Sequence, residues 1–253
     1  MISVLLVGES WTSATTHYKG FDFFSAVTHE ETGADYLRAA LEGDPEIRYA
    51  HMPSHIAAES FPNDIESLRA YDVIILSDIG ANTLLLSRKV FIEGKTQPNR
   101  LKLLRQWVQE GGALCMCGGY LSFAGIEAKA KYFRTPIEDV LPVNIYTFDD
   151  RVEAPEGVSV AIRDPRHPIL AGVEGEWPAL LGYQETALKP GAQSIVETEN
   201  GDPLIAVWNC GAGRAMVWTT DVGPHWCPVA FAEWPGYAQI WRNAIRWLAG
   251  GDR

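Results

Sequence analysis

The sequence predicts an α/β protein: a three-layer, doubly wound, mostly parallel sheet with antiparallel strands added toward the C-terminus. Three observations carry this. The first strand-like run, Ile2–Gly8, is apolar and aliphatic without a regular alternation, as strands buried on both faces are. Amphipathic helical stretches separate it from later runs, and β-α-β-α alternation is the pattern of a parallel sheet with helices on both sides. Beyond about residue 142 the texture changes to short strands divided by Pro, Gly and Asn clusters.

In chain order, Ile2–Gly8 is followed by helical periodicity over residues 36–41 and by a second strand, Ile47–Met52. Residues 71–77 form a third strand that closes on Asp78-Ile79-Gly80-Ala81-Asn82. Residues 101–110 are an amphipathic helix with Leu101, Leu104 and Val108 on one face, stopped by Gly111-Gly112. Ala113–Cys117 is the fourth strand. Later strands fall at 158–163, 194–198, 204–208 and 214–219, and the last two flank Asn209-Cys210-Gly211-Ala212-Gly213, a hairpin turn. Residues 234–248 close the chain as a helix whose buried side carries Ile240, Ala244, Ile245, Trp247 and Leu248. No repeat, low-complexity tract or linker intervenes, so residues 1–253 read as one domain.

The bulk numbers narrow the class. A chain of 253 residues that is 47% hydrophobic holds enough apolar material for a sizeable core. No apolar stretch is long enough to span a bilayer, and the N-terminus lacks a basic n-region and a small-residue cleavage site. A cytoplasmic protein is expected. The net charge of -11 argues against a nucleic-acid partner, which normally requires a basic face. The four cysteines, Cys115, Cys117, Cys210 and Cys227, show no metal-finger spacing and fit reduced thiols. Cys115 and Cys117 are expected on opposite sides of their strand, and Cys115 in the core.

Ligands of open parallel sheets bind beyond the carboxyl ends of the strands, where the strand order reverses. Polar and Gly-rich segments gather at four such ends: Gly8-Glu9-Ser10-Trp11, Asp78-Ile79-Gly80-Ala81-Asn82, Cys117-Gly118-Gly119-Tyr120 and Asp221-Val222-Gly223-Pro224-His225-Trp226. One shared cleft follows. Cys117 is expected on a strand-to-helix elbow, where Gly118-Gly119 permit a sharp turn and a helix N-terminus lowers a thiol pKa. It reads as a nucleophile or as a small hydrophobe ending a buried strand. His225 reads as a base or as a structural histidine beside Trp226. Asp221 orients that imidazole or caps the turn, and Glu9 and Asp78 are cleft carboxylates or loop acceptors. The backbone at Gly80 and beyond offers N–H groups to an oxyanion. His17, Lys19 and Asp22 line a cleft wall or a solvated loop. The late aromatics Trp226, Phe231, Trp234, Tyr237, Trp241 and Trp247 suit a core or an interface, and if exposed they point to a homo-oligomer.

These motifs, with His17-Tyr18-Lys19-Gly20-Phe21-Asp22 and Gly118-Gly119-Tyr120-Leu121-Ser122-Phe123, resemble the class I glutamine amidotransferase-like superfamily, and within it a branch of cytoplasmic amidotransferase-like proteins. The chain is also similar to sugar-linked relatives of the trehalose-utilisation type. The resemblance implies the flavodoxin-like sheet of that superfamily. Its glutaminases use a cysteine on the elbow, a His and a Glu two apart after a late strand, and a backbone oxyanion hole. By position, Cys117 matches the nucleophile, His225 the base, and the 78–82 loop the oxyanion-hole loop. Cys227 stands where the orienting Glu is expected, and Leu121 where a Gln usually follows the elbow.

The expected function is thus an amidotransferase-like cysteine hydrolase acting on a small amide, ester or sugar-derived substrate. Its catalytic set is Cys117, His225, Asp221 and Glu9. Its binding set is Trp11, His17, Lys19, Asp78, Gly80, Ala81, Asn82, Gly118, Tyr120 and Trp226. A small-molecule ligand is expected, with no cofactor, metal, nucleic acid or membrane. Two alternatives stand beside it: a binding or assembly protein with a degenerate triad, and a carboxylate/His hydrolase assisted by a metal.

Overall fold

The computed structural model describes residues 1–250, apart from the side chains of residues 28–30. Its strands are β1 (Ile2–Gly8), β2 (Ser10–Lys19), β3 (Asp22–Thr32), β4 (Ile47–Met52), β5 (Val73–Ser77), β6 (Ala113–Cys117), β7 (Val143–Asn144), β8 (Arg151–Val158), β9 (Val160–Ile162), β10 (Leu180–Gln184), β11 (Ala187–Leu188), β12 (Gln193–Thr198), β13 (Pro203–Cys210) and β14 (Gly213–Trp218). The α-helices are α1 (Asp35–Glu42), α2 (Ser54–Ser60), α3 (Ile65–Leu68), α4 (Ala81–Leu85), α5 (Arg88–Phe91), α6 (Arg100–Gln109), α7 (Pro136–Val140), α8 (Val229–Ala232) and α9 (Pro235–Leu248).

Eight strands form one sheet in the order β4-β1-β5-β6-β14-β13-β12-β9. Strands β4, β1, β5, β6 and β14 run parallel, and β13, β12 and β9 complete the sheet through antiparallel pairings. The β13–β14 pair is the hairpin expected around Gly211. Because side chains alternate along a strand, β1 sends Val4 and Leu6 to one face and Leu5 and Val7 to the other. The first face packs under α1 and α9, the second under α2, α4 and α6. Helix α9 begins with Pro at its first position and buries Tyr237, Ile240, Trp241, Ala244, Ile245 and Leu248 at helical spacing. Each fully buried aliphatic side chain of this kind contributes roughly 1.5–3 kcal/mol relative to exposure. Helix α6 is capped by Asn99, whose side chain accepts from the amides of Leu101 and Lys102, both at 3.0 Å.

The chain passes from β1 to β4 on one side and returns to β5 on the other, so the strand order reverses between β1 and β5. Gly8 ends β1 at φ +98°, and a Cβ there would lie 2.1 Å from the Ser77 carbonyl oxygen, so only glycine fits. The Glu9 amide donates to that same oxygen at 2.7 Å. The reversal point therefore places Glu9 beside Asp78 at the carboxyl end of the sheet.

Three expectations need correction. Cys115 and Cys117 share one face, with their sulfurs 3.9 Å apart, because a strand's period of two returns residue i+2 to the side of residue i. No helix follows Cys117: the chain enters an irregular loop with a short 3₁₀ turn at Ile126–Ala128, and the next α-helix is α7. Gly119 lies at φ +132°, outside helical space, and Gln184 pins it by accepting from its amide at 3.2 Å and donating to its carbonyl at 2.5 Å. The elbow's helix dipole is therefore missing. Last, the segment around His17 is a hairpin: β2 and β3 pair from Lys19↔Asp22 outward, with Gly20 at φ +70° in the two-residue turn.

Candidate functional site

The carboxyl ends of β1, β5, β6 and β14 converge on a cavity of about 490 Å³. Its walls are formed by Glu9, Trp11, Gly33, Asp78, Tyr120, Asp221, Gly223, Pro224 and His225. Asp221 and His225 lie in the segment after β14. Asp221 accepts from the Trp226 amide at 3.0 Å, and the same Oδ2 lies 2.7 Å from His225 Nδ1. The carboxylate is nearly buried, whereas the imidazole is exposed at the cavity. The hydrogen bond to Asp221 raises the His225 pKa above the ordinary histidine value, against a smaller lowering by burial. Tyr120 meets the imidazole edge-on at 4.9 Å between ring centres, and Trp226 stacks on it at 5.3 Å. The ring is thus fixed on two sides, with Nδ1 held by Asp221, while the residue lines the cavity. That is the arrangement by which an acid–base histidine is oriented.

The inner side of the cleft differs. Glu9 sits in left-handed backbone at φ +48°, and Asp78 at φ +43°. Non-glycine residues in this region carry strain that concentrates at functional sites. Burial pushes the Glu9 carboxyl from its usual 4.5 to about 8, although the Ser77 hydroxyl donates to it at 2.5 Å. Gly33 makes room for it: a Cβ there would fall 2.3 Å from Glu9 Oε1. Asp78 is also raised, chiefly by burial and further by the Asp221 charge, while its Oδ1 accepts from the Leu121 amide at 2.6 Å. The cleft therefore holds, with the Asp221–His225 pair, a Glu9 carboxyl biased by burial toward its protonated form.

Cys117 is fully buried and does not line the cavity. Burial first, and contact with Cys115 second, push its thiol well above the usual range. Cys227 is raised as well, mainly by burial. The Ala81 amide, expected to serve an oxyanion, donates to the Ala130 carbonyl at 2.8 Å. Gly80 is buried, and Asn82 is exposed on α4, outside the cavity wall. Gly118 is pinched against the backbone of Thr219 and Thr220. His17 and Lys19 lie on the β2–β3 hairpin, away from the cavity lining. Trp226 is buried behind His225 and donates from Nε1 to Glu153 at 2.9 Å.

Several contributors carry no sequence signal. Glu153 lies on β8, and its carboxylate also accepts from Tyr120 Oη at 3.4 Å. Arg151 stands 4.6 Å over the Tyr120 ring. Gly33 follows the hairpin, and only the fold brings it to Glu9. Among the described residues, no three His, Cys, Asp or Glu side chains come together as a metal-holding group. No helix among them is long and apolar enough to cross a membrane.

Comparisons with known proteins fit this geometry into a family. The family model GATase1_like, "Putative glutamine amidotransferase", matches residues 3–250. The cytoplasmic protein STM3548 from Salmonella typhimurium is 39% identical, covering 97% of this chain and 98% of its own, with a TM-score of 0.92. The cytoplasmic protein STM1381 from Salmonella typhimurium LT2 is 41% identical, covering 98% and 99%, also at 0.92. A ThuA-like protein from Bacteroides uniformis, 12% identical over 98% of this chain and 91% of its own, shares the fold alone at a TM-score of 0.58. No curated protein sequence matches. The chain belongs to the GATase1_like family of glutamine amidotransferase-like proteins.

Proposed function

We propose that this family member is an acid–base hydrolase whose Asp221–His225 pair activates water, and that Cys117 takes no part in the reaction. Its frame is the three-layer, flavodoxin-like sheet of the superfamily, and its compartment is the cytoplasm. One observation carries the reading: an imidazole held at 2.7 Å by a nearly buried carboxylate lines the cavity, while Cys117, at the carboxyl end of β6, and Cys227, two residues past the imidazole, are both sealed in the core. His225 takes a proton from water as the water oxygen adds to a carbonyl carbon, or displaces the leaving-group oxygen at an acetal carbon, and Asp221 balances the imidazolium. Glu9, protonated near neutrality, is placed to donate to the leaving group.

The substrate class follows from charge and size. Asp78 and Asp221 line the cavity beside the neutral Glu9 carboxyl, so an anionic substrate is disfavoured, and the volume suits a small molecule. Trp11 and Tyr120 offer flat apolar walls. A neutral or cationic amide, ester or sugar derivative fits these features.

The test is a hydrolysis screen over small amides, esters and glycosides, L-glutamine included, with the Cys117→Ala and His225→Ala variants in parallel. Removing the histidine is expected to lower turnover about 100-fold or more, while the cysteine variant keeps it. Loss of turnover in a folded Cys117→Ala protein restores the cysteine hydrolase. The departures at Leu121 and Cys227 from the glutaminase pattern favour a second reading, a binding protein without turnover. Ligands that raise the melting temperature yet are never converted support that one.

A further inference from the structure

The β2–β3 hairpin leaves and rejoins the domain at the mouth of the cleft, since Glu9 precedes it and Gly33 follows it. Its strands pair only with each other. From Thr12 to Val27 every residue is exposed except the half-buried Ser13. The cross-strand register sorts the side chains onto two faces. On one, His17 pairs with Phe24 and Lys19 with Asp22. There the imidazole stacks on Phe24 at 4.7 Å and Lys19 Nζ stands 5.7 Å over the same ring, so polar groups flank this aromatic, which is 50% exposed.

The other face pairs Tyr18 with Phe23, Thr16 with Ser25 and Ala14 with Val27. It holds no charged side chain over that span, and among the described residues none covers it: Tyr18 is 78% exposed, Phe23 68% and Val27 54%, with Phe21 fully exposed at the tip. A lone two-stranded hairpin is marginally stable in water, and an uncharged face of exposed rings, interrupted only by the hydrogen-bonded Thr16–Ser25 hydroxyls, marks an interaction site.

We propose that this face is a dimer interface, docked against the same face of a second copy of the chain about a two-fold axis. Area supports that occupant. At about 200 Å² per aromatic side chain, Tyr18, Phe21, Phe23 and their apolar neighbour Val27 expose roughly 600 Å² on one arm. Two arms laid face to face, tips included, bury at most about 1,200 Å², the lower edge of the size of a specific interface. Shape and charge agree. Large rings at one end and the small Ala14, Thr16 and Ser25 along the rest let two antiparallel arms set ring against notch, as a self-complementary patch requires. An uncharged face is also where two chains of net charge -11 can approach.

The full chain is followed by sedimentation velocity and light scattering across the micromolar range, with two double variants. Wild type is expected at twice the 28.0 kDa chain mass. Tyr18→Ser/Phe23→Ser, on the apolar face, is expected to raise the dimer dissociation constant more than tenfold with unchanged circular dichroism. His17→Ser/Phe24→Ser, on the opposite face, is expected to remain a dimer. A monomeric wild type, a trimer or larger particle, or dimer loss in both variants or in neither overturns the proposal.

Discussion

The inner side of the cleft and its outer wall treat ionisable groups in opposite ways. On the inner side, Glu9, and behind the cleft wall the thiol of Cys117, lie in surroundings that penalise charge, and both are driven toward their protonated forms. On the outer wall, His225 stays exposed and gains its proton affinity from a specific partner, Asp221. Desolvation suppresses an anion without aiming it, whereas a hydrogen-bonded partner both raises and orients a base. Residues at equivalent strand ends are therefore unequal candidates for chemistry, and the imidazole is the better placed.

The largest effect that separates the two sides is on stability against pH. With its pKa raised from 4.5 to about 8, folded Glu9 keeps a proton that the unfolded chain releases, so its contribution falls as pH rises from about 4.5 to about 8. Glu9→Gln is expected to flatten that slope and to exceed wild type above pH 8 by on the order of a few kcal/mol. Urea unfolding on both sides of the window measures it, and equal slopes would remove burial as the cause. A smaller effect is expected from Cys117→Ala, about 1–2 kcal/mol of lost stability from its small cavity, read by chemical denaturation. A thiol poised for catalysis would instead react in the native protein with a disulfide probe, which Cys117 is expected to resist until unfolding. The mildest change is Asp221→Asn. It is expected to lower the titration midpoint of the His225 ring, followed by NMR, with little change in global stability; an unmoved midpoint would detach the imidazole from its partner.

Much of the frame was legible because it rests on local pattern. The aliphatic run of β1, the helical spacing of α9 and the glycine turn between β13 and β14 each encode their own conformation. The hairpin at β2–β3 was not, since its Ser- and Thr-rich strands lack a buried face from which to read a period. The late aromatics show the limit of composition: Trp226, Phe231, Tyr237 and Trp241 are core, while the exposed rings include Tyr18, Phe21, Phe23 and Phe24 on the arm.

The sequence by itself determined the strand-end positions of Glu9, Asp78, Cys117 and Asp221, because strand periodicity and glycine turns are local properties. Only the tertiary structure decided which of them meet solvent and which meet each other. Without a helix after Gly119, Cys117 stays a core side chain, and the segment after β14 brings Asp221 to His225. Burial and partnership, which fix a pKa, are set by neighbours distant in the chain: Gly33 and Ser77 around Glu9, Glu153 and Tyr120 around His225.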